Sequence, residues 1–219
     1  MAIINESSRE DIKRNEVADI VERVAAWIRL RPQQALWSAI GVVAAALLVA
    51  GFFVRRSQTR EQSWTAFSAA TAYAYNGQAD AALNQVKALT EAYPSSSAAG
   101  YARLLAGDVL YEEGQYKKAE QAYQSAVDLP GNPAAEPLAL SGLALSQEAA
   151  GECASAEATA QRFLDAHQDH FLAPQTHAVL ARCLLADGKT AEAKTAFERI
   201  QVLYPNTYWE TWAKSHGGN

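Results

Sequence analysis

The sequence predicts an all-α protein: an N-terminal amphipathic helix, a transmembrane helix, a right-handed α-solenoid of about four helix pairs and a C-terminal capping helix. Two observations lead to this prediction. A long charge-free apolar segment stands near the N-terminus, and small residues recur at a constant interval through the rest of the 219-residue chain. The predicted boundaries are a cytoplasmic tail at residues 1–31, a membrane span at 32–54, a linker at 55–61 and a repeat domain at 62–219.

The composition excludes several classes of protein. Hydrophobic residues make up 49% of the chain and charged residues 20%, as in ordinary folded proteins and unlike disordered or low-complexity chains. The formal net charge of −5 gives no electrostatic basis for binding a phosphate backbone, so no nucleic-acid partner is expected. Two cysteines are too few for a disulfide framework, and the fold must depend on a hydrophobic core.

The apolar segment runs from Pro32 to Val54 without a charged residue, between Arg31 and Arg55. As a helix it would extend about 34 Å, enough to cross the hydrocarbon core of a bilayer. A buried helix and a cleaved signal peptide are the alternatives. The first lacks neighbouring apolar surface to enclose it, and the second lacks small residues after the apolar run. We therefore expect a permanent anchor in contact with membrane lipid.

The charges flanking this segment predict its orientation. Six Lys and Arg residues lie in residues 1–31 and three in residues 55–86, which favours a cytoplasmic N-terminus. An amphipathic helix is predicted before the span, from apolar residues that recur every three or four positions: Val17, Ile20, Val21, Val24, Trp27 and Ile28. Such a helix lies on the inner leaflet or, as the alternative, docks to a membrane partner.

Four glycines mark a repeat of 37 residues: Gly77, Gly114, Gly151 and Gly188. An alanine follows each glycine by five residues, and a small residue precedes each by seven. Glycine commonly ends a helix, and small residues let two helices pack closely. Each period therefore predicts a pair of helices joined at a glycine turn. Because one pair cannot bury its own apolar face, four pairs are expected to stack into a solenoid.

This pattern resembles the tetratricopeptide repeat over residues 62–205. The shared features are the small residue, the glycine turn, the alanine and a closing proline, which stands at Pro94 and Pro205. The resemblance implies a superhelical stack of helix pairs that binds other proteins. The tail at Thr207–His216 is expected to form the capping helix over the last exposed apolar face.

Recurring positions of the first helix in each pair are expected to line the concave face of such an array. Candidate protein-binding residues follow from this register: Trp64, Tyr101, Asp108, Tyr111, Glu112, Glu148 and Arg182. Aromatic residues dominate the N-terminal half of this set, close to two acidic ones. This predicts apolar anchoring of an extended or helical peptide, with acidic selection. The alternative is that several of these side chains pack between repeats.

Signals for catalysis are weak. His167, Asp169 and His170 stand near the expected turn between the third and fourth pairs, where a metal site of a zinc-dependent enzyme is the alternative to a polar loop. The sequence contains no HExxH, no GxxxxGK[ST] and no GxSxG pattern. We expect a protein that is not an enzyme and that has no cofactor or metal.

Cys153 opens the second helix of the third pair, and Cys183 lies in the later half of the next helix. In a stacked array these stretches run antiparallel and adjacent. In an oxidising compartment a disulfide would close a loop of about 30 residues and stabilise the fold by roughly 3–4 kcal/mol in the chain-entropy model. Two free thiols that pack as small buried residues are the alternative.

A short cytoplasmic segment, one N-terminal span and a tetratricopeptide array together resemble the YfgM-type family of ancillary subunits of the bacterial SecYEG translocon. The resemblance implies an inner-membrane protein with a periplasmic C-terminal domain. It also implies a position beside SecYEG, a PpiD-like chaperone as partner, and unfolded client segments as ligands. No catalytic residue comes with it. A scaffold for another envelope assembly, such as cytochrome c maturation or cell division, remains the alternative.

Overall fold

The computed structural model describes residues 19, 22–130 and 132–217, and these residues form helices and turns without a strand. Residues 22–30 are helical. The helices that follow are α1 (Pro32–Tyr75), α2 (Ala79–Ala92), α3 (Ser97–Glu112), α4 (Tyr116–Val127), α5 (Glu136–Ala149), α6 (Cys153–His167), α7 (Ala173–Ala186), α8 (Thr190–Leu203) and α9 (Tyr208–His216). The predicted all-α class is confirmed.

The chain divides into two compact units, Met1–Ser57 and Gln58–Asn219. In the first unit, Val24, Trp27 and Ile28 of the predicted amphipathic helix are helical and exposed. Its other predicted apolar positions, Val17, Ile20 and Val21, lie outside the described residues.

The apolar part of α1 is fully exposed. Its most apolar 18-residue window has a mean hydropathy of 2.3 and no buried residue, so the helix is long and apolar enough to cross a membrane. Residues 55–61, which we expected to form a linker, are helical and belong to α1. The reason is local, because this stretch contains no glycine or proline to end the helix.

The four repeat glycines all lie in turns between helices. Their φ angles are 69°, 71°, 79° and 75°, in the left-handed region that favours glycine. A Cβ atom added at any of these glycines would meet nothing within 4 Å. The requirement for glycine is therefore conformational, and the predicted helix pairs are confirmed as α1–α2, α3–α4, α5–α6 and α7–α8.

The small residues predicted to bring the helices together are buried, and the second pair shows why. Tyr123 of α4 lies between Gly107 of α3 and Gly142 of α5. A Cβ atom on either glycine would approach the tyrosine ring to 2.6 and 2.4 Å respectively. The ring therefore occupies space that an alanine would fill. The position of Gly107, seven residues before the turn glycine, is held by Ala70, Ala144 and Ala181 in the other pairs. All three alanines are fully buried.

The third pair departs from the pattern by carrying a polar contact. Gln147 of α5 is buried, and its side-chain oxygen accepts a hydrogen bond of 2.8 Å from the Thr159 hydroxyl of α6. Its amide donates to a Glu120 carboxylate oxygen at 3.4 Å. The other pairs carry Tyr73, Leu110 and Leu184 at this position. A buried amide is tolerated where both of its ends have partners, so the third pair packs although it has a polar residue there.

Helix α9 closes the array, as expected for the predicted capping helix. The Thr207 hydroxyl accepts a hydrogen bond from the Glu210 amide, and a Glu210 carboxylate oxygen accepts one of 2.5 Å from the Asn206 amide. This exchange satisfies amides at the start of the helix. Ala213 is buried in the last core cluster, against which Trp209 and Trp212 pack.

Candidate functional site on the first-helix face

Three aromatic side chains form a cluster where α1 meets α3: Trp64, Phe67 and Tyr101. The Trp64 ring centroid lies 5.6 Å from that of Phe67 and 5.6 Å from that of Tyr101. The Phe67 and Tyr101 centroids are 6.3 Å apart. All three side chains are half-buried, so each rests on the core and still presents a surface to solvent. We refer to these residues as the aromatic cluster.

We refer to the surface formed by the first helices of the pairs, α1, α3, α5 and α7, as the first-helix face. The acidic residues predicted for it lie further along α3. Asp108 accepts a hydrogen bond of 2.5 Å from the buried Tyr123 hydroxyl. Burial raises the pKa of Asp108, and the Glu112 charge adds to the rise, although the hydrogen bond from Tyr123 opposes it. Glu112 is exposed. Asp108 and Glu112 follow Tyr101 on α3 by seven and eleven residues, and Asp108 also holds the Tyr123 ring that packs α3 against α4.

Tyr111, next to the last residue of α3, is half-buried. Its ring centroid lies 5.3 Å from that of Tyr116, the first residue of α4. Burial raises the pKa of the Tyr111 hydroxyl, and the nearby Tyr116 and Glu148 raise it further. This phenol therefore stays protonated near neutral pH and can donate a hydrogen bond.

The other end of the face is held by a charged pair. Arg182 of α7 donates two hydrogen bonds to the Glu148 carboxylate of α5, at 2.5 and 2.6 Å. These bonds raise the pKa of Arg182. The guanidinium carbon also lies 5.5 Å from the centroid of the Trp212 ring of α9, a distance typical of cation–π contacts. We refer to Glu148, Arg182 and Trp212 as the C-terminal brace.

Trp212 occupies a register position that sequence reasoning missed. It stands 37 residues after Gln175, so it continues the series Trp64, Tyr101, Leu138 and Gln175. Helix α9 thus occupies the register of the first helix of a fifth pair. The ring of His216 stacks on Trp212 with centroids 4.7 Å apart.

Phe67 was also missed by sequence reasoning, and its signal was local. It follows Trp64 by three residues, which places both side chains on one face of α1.

The structure brings the predicted protein-binding residues together in two groups rather than one. Trp64 and Tyr101 belong to the aromatic cluster, with Asp108 and Glu112 on the same helix as Tyr101. Glu148 and Arg182 bind each other in the C-terminal brace. Tyr111 is on the same helix as Tyr101, and it lies close enough to Glu148 and Arg182 for their charges to affect its pKa.

The two histidines between the third and fourth helix pairs, His167 and His170, are not joined by a third side chain that could complete a metal site in the described part of the chain. The ring centroids of His167 and His170 are 6.5 Å apart, and both rings lie beside Phe163. The Leu172 amide donates to Nδ1 of His170 at 3.3 Å. Burial lowers the pKa of His170, with a further contribution from His167. In the part of the chain that the structure describes, no three His, Cys, Asp or Glu side chains are grouped to hold a metal ion.

A comparison with family models matches residues 27–203 to the tetratricopeptide repeat-like domain. No curated protein sequence matches this chain.

Solved structures share the fold at low sequence identity. A tetratricopeptide repeat protein from Parabacteroides merdae ATCC 43184 is 14% identical, with a TM-score of 0.60 over 72% of this chain and 58% of that protein. The chain therefore spans less than two thirds of that relative.

Two further solved structures match this chain over a larger share of their own length. The kinesin-light-chain-type TPR-like repeats of Podosopora anserina are 14% identical, with a TM-score of 0.58 over 72% of this chain and 84% of that one. YrrB, described as a TPR protein with an unusual peptide-binding site, is 18% identical, with a TM-score of 0.51 over 68% of this chain and 75% of that one. These similarities concern the fold alone. Because the family model covers most of the chain, this protein belongs to the tetratricopeptide repeat-like domain family.

Proposed function

We propose that this protein is a single-pass protein of the bacterial inner membrane whose periplasmic repeat domain binds polypeptides, as an accessory factor of the SecYEG translocon. The observation that carries the proposal is the half-exposed aromatic cluster on the first-helix face of a repeat domain, in a chain that also contains an exposed, charge-free apolar helix. The first feature offers a surface for a peptide, and the second offers an anchor.

The charge distribution supports a cytoplasmic N-terminus. Six basic residues precede the apolar segment and three follow it at short range, in the sense of the positive-inside rule. With one span, the repeat domain is then periplasmic, where it meets polypeptides as they leave the translocon. A PpiD-like chaperone is the proposed partner at that step.

The aromatic cluster is the proposed peptide-binding end of the face. Trp64 and Tyr101 offer large, rigid apolar surface at low cost in side-chain entropy. Asp108 and Glu112 add negative charge, which favours unfolded segments that carry Lys or Arg. The peptide-binding site named for YrrB supports this use of the fold.

The C-terminal brace is proposed to support the binding surface and not to contact the peptide. Because Glu148 and Arg182 satisfy each other and Arg182 faces Trp212, these residues hold α5, α7 and α9 in place and position the face. The domain is proposed to act as a binding scaffold without catalysis, as proteins of this fold generally do.

Site-specific photo-crosslinking in native membranes tests the proposal. A photoreactive residue at Tyr111, on the first-helix face, is compared with one at Lys194, an exposed position of α8. We expect crosslinks to unfolded clients from position 111 only, and co-purification of SecY, SecE and SecG. Recovery of a cytochrome c maturation or cell-division assembly without Sec components would support the scaffold alternative and contradict the translocon role.

A reporter fused after Asn219 tests the compartment separately. A reporter that is active only outside the cytoplasm is expected to give signal. A cytoplasmic signal would overturn the proposed orientation while leaving peptide binding by the repeat domain open to measurement.

A further inference from the structure

Both cysteines of the chain fall on one junction of the array. Cys153 stands two residues after the third glycine, and Cys183 stands five residues before the fourth. The same two register positions are held by Ala79 and Val109 at the first junction. At the junction of the third and fourth helix pairs, these two positions therefore hold cysteines, which can form a disulfide. At the junction of the first and second helix pairs they hold residues that cannot.

The fold places the two cysteines against each other. Cys153 is the first residue of α6, and Cys183 lies near the end of α7, the next helix. A short connection makes consecutive helices antiparallel neighbours, so the start of α6 lies beside the end of α7. Cys183 is fully buried in a core cluster with Ala156 and Val179, and Cys153 packs against the same cluster.

The two thiols differ in access to solvent. Cys153 is half-buried and Cys183 is buried. Burial raises the pKa of the Cys183 thiol, and the neighbouring Cys153 thiol raises it further. A solution reagent therefore reaches Cys153 first, and Cys183 stays protonated until it is engaged.

We propose that Cys153 and Cys183 form an intramolecular disulfide that joins the third and fourth helix pairs when the protein meets a disulfide donor. The donor is a small or protein disulfide, such as oxidised glutathione or the active-site disulfide of a thiol oxidase. The inference depends on the packing of α6 and α7 and not on the identity of the polypeptide bound by the repeat domain.

The exchange proceeds in two balanced steps. The Cys153 thiolate attacks one sulfur of the donor, forms a mixed disulfide and releases one donor thiolate. The Cys183 thiolate then attacks the Cys153 sulfur and releases the second donor thiolate. Two cysteine thiols are oxidised to one disulfide, the donor disulfide is reduced to two thiols, and the two protons pass to the released thiolates.

The bond would lie next to the C-terminal brace, since Arg182 precedes Cys183. Its expected effect is to fix α6 against α7 and so to stiffen the end of the face that the Glu148–Arg182 pair holds. A loop of about 30 residues closed in this way raises the melting temperature by about 6–16 °C in the chain-entropy model. The aromatic cluster, on α1 and α3, keeps its contacts in both states.

Mass spectrometry of the intact, full-length protein in detergent tests the inference. The protein is equilibrated with oxidised and reduced glutathione, the oxidised form in about tenfold excess, and then alkylated. We expect the oxidised protein to carry no alkyl group and to be about 2 Da lighter than the reduced protein. Its melting temperature is expected to rise by the amount stated above. Two alkylated thiols, two glutathione adducts or a disulfide between two copies would each overturn the inference.

Two variants separate the bond from the packing. Cys153→Ser removes the accessible thiol at a half-exposed helix start, and it is expected to abolish the mass change and the rise in melting temperature. Ala154→Ser places the same side chain at the exposed neighbouring position and keeps both thiols, so it is expected to oxidise like the natural protein. A rise in melting temperature that survives Cys153→Ser would contradict the proposed bond.

Alkylation in intact cells distinguishes this inference from the proposed compartment. A protein that forms the bond with glutathione but has free thiols in cells would support the inference and contradict a periplasmic repeat domain. A protein that forms no bond in either setting would overturn the inference alone.

Discussion

The two ends of the first-helix face use tryptophan at the same register position in opposite ways. Trp64, at the N-terminal end, contacts only aromatic neighbours, Phe67 and Tyr101, among the rings and cations near it in the described chain. Trp212, at the C-terminal end, has aromatic neighbours too, Phe197 and Trp209. It differs from Trp64 because it also contacts the Arg182 guanidinium and the His216 ring. Position in the repeat therefore does not assign a role. The neighbouring charged groups distinguish Trp212, which contacts a cation, from Trp64, which is proposed to bind a ligand.

Breaking the C-terminal brace should have the largest effect on stability. Arg182→Met leaves the half-buried Glu148 carboxylate without its two hydrogen bonds and is expected to lower the free energy of unfolding by about 3 kcal/mol. Urea titration of the full chain in detergent measures this. Peptide affinity at the N-terminal end should change by less than about twofold, because the aromatic cluster keeps its contacts.

A double variant controls for the orphaned charge. Glu148→Gln combined with Arg182→Met removes the unpaired carboxylate and is expected to recover at least half of the lost stability. If the single and double variants were equally unstable, the loss would come from packing of the arginine side chain and not from the charge pair.

Acid should weaken the C-terminal end of the array selectively. Burial, with the nearby Arg199 charge, lowers the pKa of His177 in α7 to about 4. The unfolded chain binds this proton near pH 6.5, so stability is lost as the pH falls from 6.5 towards 4. We expect His177 to contribute a loss of about 2 kcal/mol between pH 7 and 4.5.

The pH dependence is measured by urea titration across that range. His177→Gln should flatten this part of the profile, whereas Ala191→Gln, at an exposed position of α8, should leave it unchanged. An unaltered slope in the His177 variant would show that other groups cause the loss.

Truncation at the N-terminal end should affect binding more than folding. Trp64→Ala removes the ring at the centre of the aromatic cluster and is expected to weaken the affinity for an unfolded polypeptide about tenfold. Trp64→Phe should retain most of the affinity. Fluorescence anisotropy with a labelled peptide measures both. An equal loss from Trp212→Phe would remove the distinction between the two ends.

Replacing a turn glycine should cost the same stability in the N-terminal and the C-terminal half of the array. Gly77 and Gly151 have φ angles of 69° and 79°, with open space around each. Alanine at either position is expected to cost about 1 kcal/mol from backbone strain alone. Asparagine, which tolerates this conformation better, should cost less. A much larger cost at one glycine, measured by urea titration, would reveal a packing role there.

The sequence predicted the periodic features of the fold because they are local. The interval of 37 residues located all four turns, and Pro205 with Thr207 located the start of the capping helix. The linker at residues 55–61 was less predictable, because charged residues without glycine or proline are compatible with either a helix or a loop.

The candidate site was predictable only in part. The register identified Trp64, Tyr101 and Arg182 as residues of one face, but it could not show which of them already have partners. The Glu148–Arg182 pair joins residues 34 positions apart, and such pairing depends on side-chain geometry between neighbouring helix pairs. Trp212 also falls on the 37-residue interval. It was missed because its helix was predicted to be a cap and was not aligned with the first helices of the pairs.

Hydrogen–deuterium exchange tests most directly whether polypeptides bind at the aromatic end of the face. The full-length protein in detergent is compared with and without a reduced, alkylated and permanently unfolded polypeptide. The account predicts added protection in residues 62–75 and 97–112, and none in residues 173–216. Protection confined to α9 and the C-terminal brace would contradict it.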